Sequence, residues 1–168
     1  MKNLLLVLLL LPAICFAQKI QVSRYDQATK QYIIETSNVQ VKADLDDIFG
    51  FKILSQDTSI VLLANGVGGT ARNISNGDPL VFIFSRRDSA VCTAMGDQGY
   101  KKGSFADNYV HSYNISKSEL MKLQRFPIES VRMYTATGSM DIEVKPKRSE
   151  LLKELAQVFL EEYNAKKK

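Results

Sequence analysis

The chain contains one histidine, two cysteines and no tryptophan, and these shortages exclude several chemistries at once. A lone His111 rules out a multi-histidine metal site, and two cysteines rule out a cysteine cluster of the zinc type. A serine–histidine–acid triad would have to recruit His111, yet no Gly-x-Ser-x-Gly elbow accompanies it. The segment Tyr109-Val110-His111-Ser112-Tyr113 alternates like a strand, so His111 reads as a sheet residue rather than a base. Without tryptophan the usual stacking platform for sugars is missing. No pair among the 18 acidic residues is set apart for glycoside hydrolysis. The formal net charge is only +4. Its basic groups (Arg86-Arg87, Lys101-Lys102, Lys145-Pro146-Lys147-Arg148) are isolated from one another, with no aromatic-interleaved stripe. Nucleic acid is therefore not an expected partner.

The first seventeen residues have the pattern of a cleaved secretory signal. Lys2 and Asn3 form a short polar start, residues 4–11 are aliphatic, and Pro12 breaks the run. Cys15 and Ala17 then put small residues at −3 and −1 before Gln18. The apolar run is shorter than the roughly 20 residues a bilayer span needs. Lipid anchoring at Cys15 is disfavoured by Ile14, which stands where lipoprotein processing wants a small residue. Residues 18–168 are expected to form one exported domain, secreted or periplasmic. Cys92 is its only cysteine, so no internal disulfide is available, and its strand-like setting predicts burial as a small hydrophobe.

Short strands dominate the rest. Alternation or β-branched runs predict strands at 19–25, 31–36, 38–42, 49–55, 59–64, 80–84, 89–94 and 109–115. Ser116-Lys117-Ser118-Glu119 has capping-box spacing, with Ile115 and Leu120 as a hydrophobic staple, and predicts a short helix ending before Pro127. Residues 128–134 and 139–144 predict a hairpin about Gly138. From Pro146 to about Asn164, Leu152, Leu155, Phe159 and Tyr163 fall on one stripe of a terminal helix. The fold class expected is α+β, mainly antiparallel β: a β-sandwich or curved sheet with the capped helix and the C-terminal helix packed against it.

Ligand sites are harder to find. Asp44-Leu45-Asp46-Asp47 lacks the spacing and glycine turn of a calcium loop and reads as an exposed acidic loop. In residues 64–78 the glycines follow a strand, as in a phosphate loop. No helix or Lys-Ser/Thr follows them, and the stretch reads as a long connection between buried strands. Its length makes it the best candidate recognition loop, with Gly66, Gly68, Gly69, Arg72 and Asn73 as its contact residues. Arg132 and Tyr134 share a strand face and form a second candidate patch, since both types are enriched at interface hot spots. The blander arrangement, with Tyr134 in the core and Arg132 over its edge, is favoured there. No cofactor or metal is called for.

The run Tyr113-x-Ile115-Ser116-x-x-Glu119-Leu120-x-x-Leu123, continuing through Pro127-Ile128, Val131-Arg132-x-Tyr134-Thr135 and Gly138 to a Lys-rich helix, resembles small exported bacterial proteins without an assigned activity. The resemblance covers about residues 109–160 and implies no substrate or active site. The expectation is a non-enzymatic exported module that binds another protein or an envelope component through a sheet edge or its end loops. The alternative is a small hydrolase or ligand-binding protein using the loop from Gly66 to Asp78.

Overall fold

The computed structural model describes residues 19–44, 47–56 and 59–166. The signal-like segment 1–17, Leu45, Asp46 and the two terminal lysines lie outside the described residues. The chain runs β1 (Ile20–Asp26), β2 (Gln31–Thr36), β3 (Val39–Ala43), β4 (Asp47–Gln56), β5 (Ser59–Gly68), β6 (Pro79–Phe84), β7 (Ser89–Ala94) and β8 (Asn108–Asn114). Then follow α1 (Lys117–Arg125), β9 (Ile128–Thr135), β10 (Gly138–Glu143) and α2 (Pro146–Lys166). All paired strands are antiparallel and join one sheet in the order β1-β2-β4-β5-β8-β7-β6-β9-β10, with β3 also on β4. β2 and β3 lie end to end along the same side of β4. The expected α+β class, with a curved sheet and packed helices, is the fold observed.

The sheet curls back on itself. β4 and β6 are four places apart in the strand order, which is about 19 Å on a flat sheet. Yet the rings of Phe51 on β4 and Phe82 on β6 meet with centroids 5.1 Å apart. Inward residues alternate cleanly: Phe49, Phe51 and Ile53 on β4, Leu62 and Ala64 on β5, Leu80 and Phe82 on β6, Val131 and Met133 on β9. The helix α2 touches β2, β3 and β4 on one arm and β9 on the other. Its buried stripe contains Leu152, Leu155, Phe159 and Tyr163, as the periodicity predicts. At its C-terminal end Glu162 accepts from Ser23 on β1 at 2.5 Å, and the Lys166 ammonium sits 5.5 Å from the Tyr32 ring centroid. No helix among the described residues is long and apolar enough to cross a membrane.

The two arms separate where β7 and β8 pair through only two residues, Thr93↔Asn114 and Ala94↔Tyr113. α1 covers the seam. Ser116 caps the helix by accepting from the Glu119 amide at 3.1 Å. The Glu119 carboxylate goes instead to the strand, where it accepts from the Val91 amide at 3.0 Å, and Lys122 donates to the Ser89 carbonyl at 2.9 Å. Unpaired β7 backbone groups are thus satisfied by helix side chains, as buried or edge amides require. Cys92 lies fully buried on the inward face of β7, and burial pushes its thiol above the ordinary value. A low-pKa nucleophile needs the opposite environment.

Candidate functional site

Two places collect chemistry: one end of the curled sheet under residues 69–78, and a cleft between two strand edges. At the first, the strand is longer than the sequence predicts. β5 continues to Gly68, so both glycines are strand residues and not part of a loop: Gly66 is paired with β4 and β8, Gly68 with β4. Glycine breaks strands locally, which is why the sequence suggests a connection starting here, but pairing with β4 and β8 carries β5 through. Gly66 is inward and its missing side chain accommodates the Tyr109 ring: a Cβ there would stand 2.6 Å from the Tyr109 Oη. Gly68 takes φ +94°, the left-handed region glycine tolerates, and the chain turns there.

The connection from Gly69 to Asp78 closes this end of the sheet. Thr70, Ala71 and Ile74 are buried, while Gly69, Arg72 and Asn73 are exposed. Asp47 accepts from the Thr70 amide at 3.2 Å, Ile74 bridges to Gln98, and the Ala136 amide donates to the Asn73 carbonyl at 3.3 Å. Arg72 spends its guanidinium on the neighbouring Ala71 carbonyl at 2.7 Å. The Asn73–Ala136 bond brings the connection to the tip of the β9–β10 hairpin, whose strand β9 carries Tyr134 and, further down, Arg132. Tyr134 does not pack in the core. Val131 and Met133 take the inward parity of β9 and are fully buried, leaving Tyr134 exposed on the other face. Arg132 grips Asp141 of β10 through two bonds of 2.6 and 2.7 Å, which holds the Asp141 carboxyl below its ordinary range. This fork ties the arginine to its own hairpin.

Beneath the connection lies a polar row that the alternation of β8 placed on one face. Tyr109 donates to Thr70 Oγ1 at 3.1 Å and stacks on His111 with centroids 4.6 Å apart. His111 Nε2 lies 2.9 Å from the Arg72 carbonyl oxygen. A carbonyl only accepts, so Nε2 carries the proton and Nδ1 is left a bare acceptor. His111 is fully buried, and desolvation lowers its pKa below the ordinary 6.5. A base must reach its proton, and this ring is closed off from solvent. The unfolded chain binds a proton near pH 6.5 that the folded chain refuses, so stability rises with pH through that window. Denaturant titrations are expected to show stability falling as pH drops below about 6.5, with a flatter slope in His111→Gln; equal slopes would refute the assignment.

The second place was not visible in the sequence. Among the described residues β3 pairs only with β4 and β10 only with β9, and a cleft of about 330 Å³ separates them. Val41, Lys42 and Asp44 line one side, Asp141, Ile142 and Glu143 the other, and Lys145, just before α2, with Arg148 in its first turn closes the end. Val41 and Ile142 are buried inward residues, so the floor is apolar. Lys42 is held by Asp47 at 2.5 Å, whose hydrogen bond raises the ammonium pKa. Glu143, Lys145 and Arg148 form no ion pair among the described residues. Which strands end as edges depends on long-range pairing, and no local pattern at residues 39–43 or 138–143 signals it. A further exposed group escaped the sequence reading: Phe105, fully exposed, rims a shallow hollow with Val67, Gly68 and Asp107. No group of three or more metal-ligating side chains occurs among the described residues. No family model, curated protein or solved structure matches this chain.

Proposed function

We propose that this chain is a non-enzymatic exported binding module that captures an extended polypeptide segment by strand addition in the cleft between β3 and β10. One observation carries the reading: two strand edges, unpaired among the described residues, face a single cleft with an apolar floor. Exposed edges are templates for another strand, and natural proteins that do not use them usually cover or blunt them. Here α2 covers the floor beside β9, while the β1 end of the sheet is tied to the same helix through Ser23. Export rests on the signal pattern of residues 1–17.

The backbone direction follows from the hairpin. The Val144 amide donates to the Glu129 carbonyl on the β9 side at 2.8 Å, so the backbone groups of Glu143 and Asp141 point away from β9. An added strand would bond to these groups, seat apolar side chains over Val41 and Ile142, and pass polar ones between Lys42 and Glu143. Peptides that alternate apolar and polar residues are expected to bind the mature protein. Glu143→Pro removes one outward amide while sparing the β9 ladder, and is expected to weaken binding at least tenfold with melting unchanged. If the best peptides bind Glu143→Pro as tightly, or if none binds the parent, strand addition at this cleft is wrong.

A further inference from the structure

Two side-chain atoms in the sheet interior have no hydrogen-bond partner among the described residues: His111 Nδ1 and Tyr113 Oη. Both residues are 0 % exposed and point inward two positions apart on β8. Across the ladder His111 stands opposite the small Ala64, while Tyr113 lies between Leu62 on β5 and the small Ala94 on β7, and none of these side chains carries a polar atom. The Thr70 hydroxyl already serves Tyr109. Leaving one buried polar atom without a partner is costly, and two beside each other on one face are unusual in a folded protein.

The chemistry of the pair selects the partner. With Nε2–H donating to the Arg72 carbonyl, Nδ1 offers a lone pair and needs a donor. Tyr113 Oη holds a proton that needs an acceptor; burial raises its pKa and keeps it protonated. A carboxylate has no proton to give Nδ1, and an ammonium has no lone pair for the tyrosine. A hydroxyl group has both. We propose that the interior of the sheet, beneath residues 69–78, binds a neutral hydroxyl group that donates to His111 Nδ1 and accepts from Tyr113 Oη. Water and a small alcohol present the same group. The connection carrying Thr70 and Arg72 is the cover of this site, because its carbonyl fixes the histidine tautomer on which recognition depends.

Proton NMR of the mature protein tests this directly. Expected are a slowly exchanging Tyr113 hydroxyl resonance with a cross-peak to water, and a His111 Nδ1 nitrogen shift of a hydrogen-bonded neutral ring. Titration with methanol, ethanol and glycerol separates the sources. A saturable shift of the Tyr113 hydroxyl resonance together with a raised melting temperature assigns the site to an alcohol. A water cross-peak insensitive to all three assigns it to water. Tyr113→Phe, which keeps the ring, is expected to lower the folding equilibrium constant about fivefold, the worth of one net hydrogen bond. Absence of the water cross-peak and of any alcohol response overturns the proposal, as does a Tyr113→Phe variant more stable than the parent, since that would mean the hydroxyl has no partner to lose.

Discussion

Replacing Gly66 with alanine is expected to destabilise the protein by about 3 kcal/mol, at the upper end of what overpacking a core usually costs. The added Cβ would stand 2.6 Å from the Ile48 carbonyl oxygen, 2.6 Å from Tyr109 Oη and 2.7 Å from Tyr109 Cζ. The carbonyl belongs to the β4 backbone and has little freedom to retreat. Tyr109 is held from two sides, by its bond to Thr70 and by its stack on His111. A ring pushed off Gly66 therefore disturbs the closure of the sheet end as well as the local contact. The neighbouring glycines set the contrast. At Gly69 the nearest atom to an added Cβ is an Asp47 carboxylate oxygen at 3.9 Å, and alanine there should change stability by less than about 0.5 kcal/mol. Gly77 has open space but a φ of +87°, so alanine should cost about 1 kcal/mol through backbone strain. Denaturant midpoints for the three variants test the ordering. A Gly66→Ala protein as stable as Gly69→Ala would show that Tyr109 is not packed against this glycine.

Much of the architecture was readable where a residue's fate depends on its near neighbours. The α2 stripe, the Ser116 cap, the β9–β10 hairpin and the shared face of Tyr109, His111 and Tyr113 all follow from spacing within one element. Reading failed where a distant strand decides. Local chemistry says Gly66 and Gly68 should break a strand, but β4 pairs with both and β8 with Gly66, and the strand continues. Glu119 has the position of a reciprocal cap, yet a free amide on β7 offers its carboxylate a partner that only the seam between the arms creates. The face of Tyr134 is within reach of the sequence: Val131 and Met133 are the apolar pair, and alternation sends Arg132 and Tyr134 outward, against the expectation of a core tyrosine. The β3–β10 cleft belongs to the other class. Nothing within residues 39–43 says that β10, a hundred residues on, will end opposite them.

The largest loss of stability is expected from Phe82→Ala, on the order of 3–5 kcal/mol, because the side chain is fully buried and its removal leaves a cavity. That is a large share of the roughly 5–15 kcal/mol typical of a whole domain. Its position makes it more than a generic core residue. Phe82 on β6 and Phe51 on β4 touch across the interior although three strands separate them along the sheet. Their contact therefore stabilises the curl itself, in addition to burying two rings. A double-mutant cycle with Phe51→Ala isolates that component, and a coupling of about 0.5–1.5 kcal/mol is expected for an aromatic pair in direct contact. The same curl sets β3, which extends β2 along β4, opposite β10, which extends the arm carrying β6 and β9. If the curl positions those edges, a single Phe51→Leu change, which keeps the site apolar with a modest loss of volume while removing the ring contact, should weaken peptide binding in the cleft more than it lowers stability. Equal binding by Phe51→Leu and the parent would mean that α2, which touches both arms, is sufficient to hold the edges apart, and that the aromatic contact serves the core alone.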